Sequence, residues 1–286
     1  MEERVTFMSD RLTLSGILHL PEGSGPHAAF LVLHGFGSNK DGGGGKAVAA
    51  MLTGLGYAAL RFDFRGCGES QGERGRVICL EQVKDTRNAL SFLAGRAEIH
   101  PQRIGVVGQS FGAAVAVYTA GVERRVAACI SSGGWGDGAR KFRKQHASSR
   151  AWAKFNAMMK EGRRRRRSGK PMMVPRYDIV PIPPRLRGNL APGSIMEFPF
   201  EVIESMYTFN ANEVVGRIAP RPLLLLHSAS DSVTPTEQSV ELFARSGKPT
   251  DLHLIADVDH FMFSEGNTLV LNLARNWLEK HFPARA

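Results

Sequence analysis

The sequence predicts a three-layer α/β fold, with a mostly parallel central sheet, helices on both faces and one inserted segment. Three observations carry that expectation. Short, all-apolar runs alternate with amphipathic stretches along most of the chain, as strands buried on both faces alternate with the helices that cover them. One such run, Ile104–Val107, ends in Gly108-Gln109-Ser110-Phe111-Gly112 and passes at once into the small-residue helical segment 113–120. The chain has 286 residues, 43% of them hydrophobic, enough for one large domain of this class or a domain plus insertion.

Taken in order, Val5–Met8 and Leu12–Leu20 read as a hairpin across Ser9-Asp10-Arg11, the second arm alternating Leu12, Leu14, Leu18 and Leu20. Ala28–Leu33 is a continuous apolar run that ends at His34-Gly35-Phe36-Gly37. Gly42–Gly45 lacks the Gly-Lys-Ser/Thr pattern of a phosphate cradle and reads as a flexible loop. Lys46–Leu55 is helical in pattern, and Tyr57–Phe62 is the next buried strand. Leu80–Ala94 forms an amphipathic helix with Leu80, Val83, Leu90 and Leu93 on one face. After Ile104–Val107 come the strand Val126–Ile130, the strand Pro222–Leu226, the helix Glu237–Ala244, the strand Leu252–Ile255 and a closing helix Thr268–His281.

Residues 135–212 break this rhythm. They hold 16 Lys+Arg and 6 Asp+Glu, whereas the rest of the chain holds 21 of each, so the whole formal charge of +10 sits in this one segment. Such asymmetry marks a separate element with its own task. Residues 139–160 place Phe142, Trp152, Phe155 and Met159 on one side of a helix, Arg163–Arg167 reads as a solvated basic loop, and 171–199 is rich in proline. A short helix follows over Phe200–Asn210. The expected organisation is therefore a core of 1–134 and 213–286 with a basic cap, 135–212, over the strand ends where ligands enter an open α/β sheet.

The chemistry concentrates on strand ends. Glycines two before and two after Ser110 let strand and helix approach closely, so the serine is held in a strained turn with its hydroxyl in the open. A serine hydroxyl is a weak nucleophile until a base takes its proton, and the base needs an orienting acid. Asp231 follows the strand Leu223–Leu226 and His260 follows Leu252–Ile255, 29 residues further on. Loops after the strands of one parallel sheet open on one edge, so residues this distant in sequence can converge there. Asp257 and Asp259 lie too near His260 in sequence to reach behind its ring, and no carboxylate follows the 126–130 strand until Asp137. His19, His227 and His253 sit in or beside strands and read as packed or exposed rings.

With His34-Gly35-Phe36, Asp63-Phe64-Arg65-Gly66-Cys67-Gly68-Glu69-Ser70, Gly108–Gly112, Asp231 with Val233 and Pro235, and Asp259-His260 in this order, the chain resembles the α/β-hydrolase-fold serine hydrolases. The resemblance spans nearly everything outside the cap. It implies Ser110 as nucleophile, His260 as general base and then acid, and Asp231 as the residue that fixes the imidazole. It also implies an oxyanion hole from the backbone N–H groups of Phe36 and Phe111, with His34 structural. The Arg65-Gly66-Cys67-Gly68 loop is expected to hold a turn in place, with Arg65 pairing internally, and Trp135, Met206, Phe261 and Met262 are candidate pocket walls.

The expected function is hydrolysis of a small to medium carboxylic ester through an acyl-enzyme, without metal or cofactor. The cap arginines and lysines also suit an anionic ester. Hydrolysis of a C–C, lactone or amide bond by the same triad stays open, as does a non-enzymatic role in which the basic segment binds anions or nucleic acid. No nucleic-acid motif is present, so a nucleic-acid partner is not expected. Homodimer formation stays open. No stretch is apolar enough to span a membrane, and no secretory signal is visible in Met1–Phe7. The three cysteines, Cys67, Cys79 and Cys129, lack metal-ligand spacing and read as free thiols in a cytoplasmic, reducing setting.

Overall fold

The computed structural model describes residues 1–263 and 268–285. Its elements are β1 (Glu2–Ser9), β2 (Leu12–His19), β3 (His27–Leu33), α1 (Gly43–Gly54), β4 (Ala58–Phe62), α2 (Cys79–Ala94), β5 (Ile99–Gln109), α3 (Phe111–Val122) and β6 (Val126–Ser132). Then come α4 (Gly138–Gln145), α5 (Ser149–Arg167), β7 (Met173–Pro175), α6 (Arg176–Ile179), β8 (Glu197–Pro199), α7 (Phe200–Thr208), β9 (Leu223–Ser228), α8 (Glu237–Arg245), β10 (Thr250–Ile255) and α9 (Thr268–His281).

One eight-stranded sheet runs in the order β1-β2-β4-β3-β5-β6-β9-β10. The β1–β2 and β2–β4 pairs are antiparallel, and all pairs from β4 onward are parallel. The apolar runs are continuous because successive side chains enter two different cores. Leu31, Leu33 and Val106 pack with α2 and α3 through Val83, Leu90, Ala114 and Val117. Phe30, Val32 and Val107 pack on the opposite face with α1 and α9 through Val48, Leu52, Ala274 and Leu278. This is the three-layer fold the sequence predicts, with its parallel strands all ending at one edge.

Local details depart from the sequence reading. Helix α1 begins at Gly43, so Gly43–Gly45 form its first turn rather than a flexible loop. The helical stretch 139–160 is two helices: Ser148 caps α5, accepting from the Ala151 N–H at 3.2 Å. Phe142, Phe155 and Met159 are buried and Trp152 half-buried, with Phe142 and Trp152 both stacked on Phe155, at 5.0 and 5.6 Å. Helix α5 then continues through Arg163–Arg167 instead of giving way to a loop. Glu161 accepts from Arg164 at 2.7 Å and Arg165 at 2.9 Å, one turn along, while Glu204 of α7 pairs with Arg163 at 3.1 Å and with Arg166. Four of the five charges thus have carboxylate partners, which suppresses the repulsion that would unwind the run. The proline-rich stretch holds the small antiparallel pair β7–β8, α6 and a 3₁₀ turn at Pro184–Asn189.

Within this segment Lys141 of α4 is an anomaly. Only 2% of it is exposed, its Nζ makes no hydrogen bond among the described residues, and the ammonium sits 4.6 Å from the Trp135 ring centre and 4.1 Å from that of Phe142. Burial pushes its pKa down to about 7, with the Cys79 thiol acting weakly the other way. Between that value and the lysine's ordinary value of 10.5 the unfolded chain holds a proton that the folded chain does not. Stability should therefore rise with pH from 7, by up to about 1.4 kcal/mol per unit. Above about pH 9 the buried thiols, raised by burial, oppose it: Cys79 and Cys129 ionise near 12 when folded and near 9 when unfolded. Urea unfolding at pH 7 and pH 8.5 should show this rise in the wild type and none in Lys141→Met; equal slopes would contradict it.

Candidate active site

Residues 108–112 make the turn between β5 and α3. Ser110 stands at its apex with φ +54° and ψ −114°, in a region that L residues rarely occupy. The flanking glycines make that turn feasible. A Cβ on Gly108 would lie 2.1 Å from the Gly112 carbonyl oxygen, and one on Gly112 would lie 2.5 Å from that of Leu33. The Ser110 N–H is anchored to the Ser132 carbonyl at 2.8 Å, which fixes the apex against the end of β6.

The loops after β9 and β10 bring the other two residues to this apex. His260 Nε2 lies 2.7 Å from Ser110 Oγ, and its Nδ1 lies 2.8 and 3.1 Å from the two oxygens of Asp231. A carboxylate only accepts, so Nδ1 carries the ring proton and donates to Asp231, leaving Nε2 to accept from the serine hydroxyl. The side chains of Asp231 and His260 are 0% and 3% exposed. Asp231 Oδ1 also accepts from the backbone N–H groups of Val233 at 2.8 Å and Thr234 at 2.7 Å. Buried His227 lies 3.2 Å from Oδ2 through its Nε2. Burial acts to raise the Asp231 pKa, but His260 and the hydrogen bond from His227 outweigh it and hold the carboxyl well below the usual carboxylate range. Asp231 is therefore a carboxylate at any pH where the ring operates.

Asp259 is placed differently. Its Oδ1 accepts from Ser232 N–H at 2.9 Å and from His260 N–H at 2.8 Å, and its Oδ2 pairs with Arg185. It ties the histidine loop to the acid loop and to the 135–212 segment rather than facing the ring.

The backbone N–H groups of Phe36 and Phe111 have no acceptor among the described residues. A Cβ built on Gly35 would lie 3.8 Å from that of Ser110, which puts the 34–37 turn beside the serine. Three contacts hold this turn to the inserted segment: Arg176 donates to the Phe36 carbonyl at 2.6 Å, the Ile195 N–H to Gly37 at 2.8 Å, and Asn39 to Pro192 at 2.7 Å. Behind it, buried Lys40 donates to Asp63 and Glu69, both at 2.7 Å. Arg65 pairs internally, with Asp85 of α2 at 2.6 Å and with Asp10 at 3.0 Å.

A cavity of about 80 Å³ opens beside Ser110 and His260. Of the four candidate wall residues only Phe261 lines it. Trp135 packs beneath α3, 5.7 Å from Phe111, Met206 of α7 is in the same core, and Met262 joins the opposite core. Sequence patterning marks these side chains as apolar, and the fold spends all three on packing. The walls come instead from Gly42–Gly45, Asn39, Arg61, Arg176, Val180, Ile182 and Leu190, among others. None of Arg163–Arg167 reaches it. Nothing in the sequence separates Arg176 from its basic neighbours; only the β7–β8 pair that seats α6 does so.

The pattern of the alpha/beta hydrolase family matches residues 30–271. The chain belongs to that family. It is therefore a hydrolase. Similar proteins include an uncharacterized 31.7 kDa protein of the traX-finO intergenic region of Escherichia coli, 26% identical over 271 residues, which span 92% of this chain and 94% of that protein. The acyltransferase drtE of Aspergillus calidoustus is 25% identical over 269 residues, 88% of this chain and 85% of its own. Among solved structures, the α/β hydrolase GrgF from Penicillium sp. sh18 superposes with a TM-score of 0.79 at 22% identity, covering 98% of this chain and 99% of its own. Est1E from Butyrivibrio proteoclasticus, solved with ferulic acid bound, gives 0.72 at 16% identity, with 97% and 98% covered. At these identities the structures speak for the fold.

The turn geometry makes a prediction. Gly108→Ala forces a methyl against the Gly112 carbonyl, so urea unfolding should show a loss of about 1–3 kcal/mol. An unchanged midpoint would mean that the turn does not need the close approach.

Proposed function

We propose that this hydrolase cleaves short carboxylic esters through a covalent acyl-enzyme on Ser110. The observation that carries the reading is the single line of contacts from Asp231 through His260 to Ser110 Oγ, at 2.8 and 2.7 Å. On this reading His260 Nε2 takes the hydroxyl proton as Oγ attacks the ester carbonyl. The imidazolium so formed is stabilised by Asp231, whose charge is already present. The carbonyl oxygen becomes an oxyanion held by the Phe36 and Phe111 N–H groups, worth about 3 kcal/mol each in the transition state. Collapse of the tetrahedral intermediate breaks the ester C–O bond, and His260 returns its proton to the departing alkoxide. Water then repeats the sequence on the acyl-enzyme and releases the acid.

The cavity has room for on the order of half a dozen water molecules, which favours a short acyl group. We assign 135–212 the role of a cap, supported by Arg176, Val180, Ile182 and Leu190 in the cavity wall and by the Arg185–Asp259 pair at the histidine loop. The pairing of Arg163–Arg166 with Glu161 and Glu204 argues against a nucleic-acid surface there. Cys67, Cys79 and Cys129 are all free and buried, which supports a cytoplasmic setting, and among the described residues no helix is long and apolar enough to cross a membrane.

A panel of p-nitrophenyl esters from acetyl to long-chain acyl tests the proposal. Activity should be highest on the shortest chains, and Ser110→Ala should lose about 10³-fold or more in kcat. Ester turnover that survives in Ser110→Ala would overturn the assignment.

A further inference from the structure

We propose that the substrate carries a free carboxylate, which Arg176 and the first turn of α1 receive within the cavity beside Ser110. This deepens the ester-hydrolase reading and rests on it.

The charge lining the cavity is one-sided. Lys40, Arg61 and Arg176 contribute to its wall, and among the described residues no Asp or Glu does. Their compensation differs. Lys40 has Asp63 and Glu69 at 2.7 Å behind the wall, and these outweigh its burial. Arg61 has one carboxylate within 4.0 Å among the described residues, Asp41 at 3.8 Å, and donates besides to His19 at 2.9 Å and to the Lys40 carbonyl. Arg176 is 2% exposed and has no carboxylate within 4.0 Å among the described residues. Its Nε and one terminal nitrogen donate to the carbonyls of Ile195 and Phe36, and it lies over the rings of Phe36 and Phe198, while its other terminal nitrogen has no acceptor among the described residues. Carbonyls and rings soften the burial of a cation without cancelling its charge, and an uncompensated guanidinium is costly to keep in a protein interior. A ligand anion supplies what the fold omits.

The glycines of α1 give a second, independent reason. Gly42, Gly43 and Gly45 line the same cavity. Three glycines at a helix start weaken it, and most other glycines of this chain answer to positive φ or to close contact, Gly35, Gly54, Gly95 and Gly188 being exceptions. Here neither applies. None of the three has positive φ, and a Cβ would meet nothing within 4 Å at Gly43 and nothing closer than 3.5 Å at Gly42 or 3.8 Å at Gly45. These glycines open a twelve-residue helix whose first amides have no partner along the helix, with no side-chain cap and no acidic residue in its first turn. Gly42–Gly45 and Arg176 line the same cavity as Ser110, and Arg176 also holds the Phe36 carbonyl.

The test compares monoethyl pentanedioate with ethyl pentanoate, read as the ratio of their kcat/KM values. In the wild type the ratio should exceed about tenfold at low salt, the range of a charge-assisted hydrogen bond, and fall as ionic strength rises. Arg176→Gln should reduce the ratio by about tenfold or more and Arg176→Lys by less, whatever either does to the neutral ester. Gly43→Ala should also lower the ratio while keeping or raising Tm. A wild-type ratio near one overturns the proposal, as does Arg176→Gln slowing both esters equally, which would leave Arg176 as a positioning residue for the Phe36 turn. Protection of Ser110 from a fluorophosphonate gives a readout without turnover or a variant: pentanedioate should slow labelling more than pentanamide, and equal effects contradict the proposal. If Ser110 does not label at all, the hydrolase reading fails first.

Discussion

The arrangement at the sheet edge depends on one buried carboxylate. Asp231 has no exposed side-chain surface, yet it remains ionised because two backbone amides, the His260 ring and the His227 ring all face it. A carboxylate in that position leaves His260 one tautomer and one orientation, with Nε2 directed at Ser110. Everything outside it serves that alignment. The strand ends bring three loops together, the glycines at 108 and 112 let the serine turn stand clear, and Asp259 ties the loops carrying His260 and Asp231 to each other.

The inserted segment is built into this edge more closely than a detachable cover would be. Its Arg176 and Ile195 hold the carbonyls of Phe36 and Gly37, and its Arg185 holds Asp259. The turn proposed to donate the oxyanion hydrogen bond therefore takes its shape partly from residues 176–195. Movement of the segment would alter substrate entry and the site geometry together. The arginine run, by contrast, spends its charge locally, on α5 and α7.

Much of the fold was legible because a parallel sheet writes itself into sequence as short apolar runs with defined ends. The eight strands, the serine turn and the order Ser110, Asp231, His260 all follow from runs and from what stands just past them. What was not legible depends on partners distant in the chain. Arg163–Arg167 reads as a loop until Glu204, 38 residues beyond Arg166, is seen to pair with it. Gly43–Gly45 reads as flexible because glycine is rare in helices, and only the cavity beside it gives another reason for its presence. Trp135 and Met206 have the right chemistry for a pocket wall, but side-chain direction decides, and both face the core. Arg176 carries no local signal at all.

The most direct test of the central claim is to stop turnover of a p-nitrophenyl ester with acid in the first moments of reaction and locate the acyl group by peptide mass. One acyl group per chain should be found, on the peptide that contains Ser110, forming much more slowly in Asp231→Asn and His260→Ala. Acylation of another residue, or acylation of Ser110 at the same rate when His260 is replaced, would contradict it.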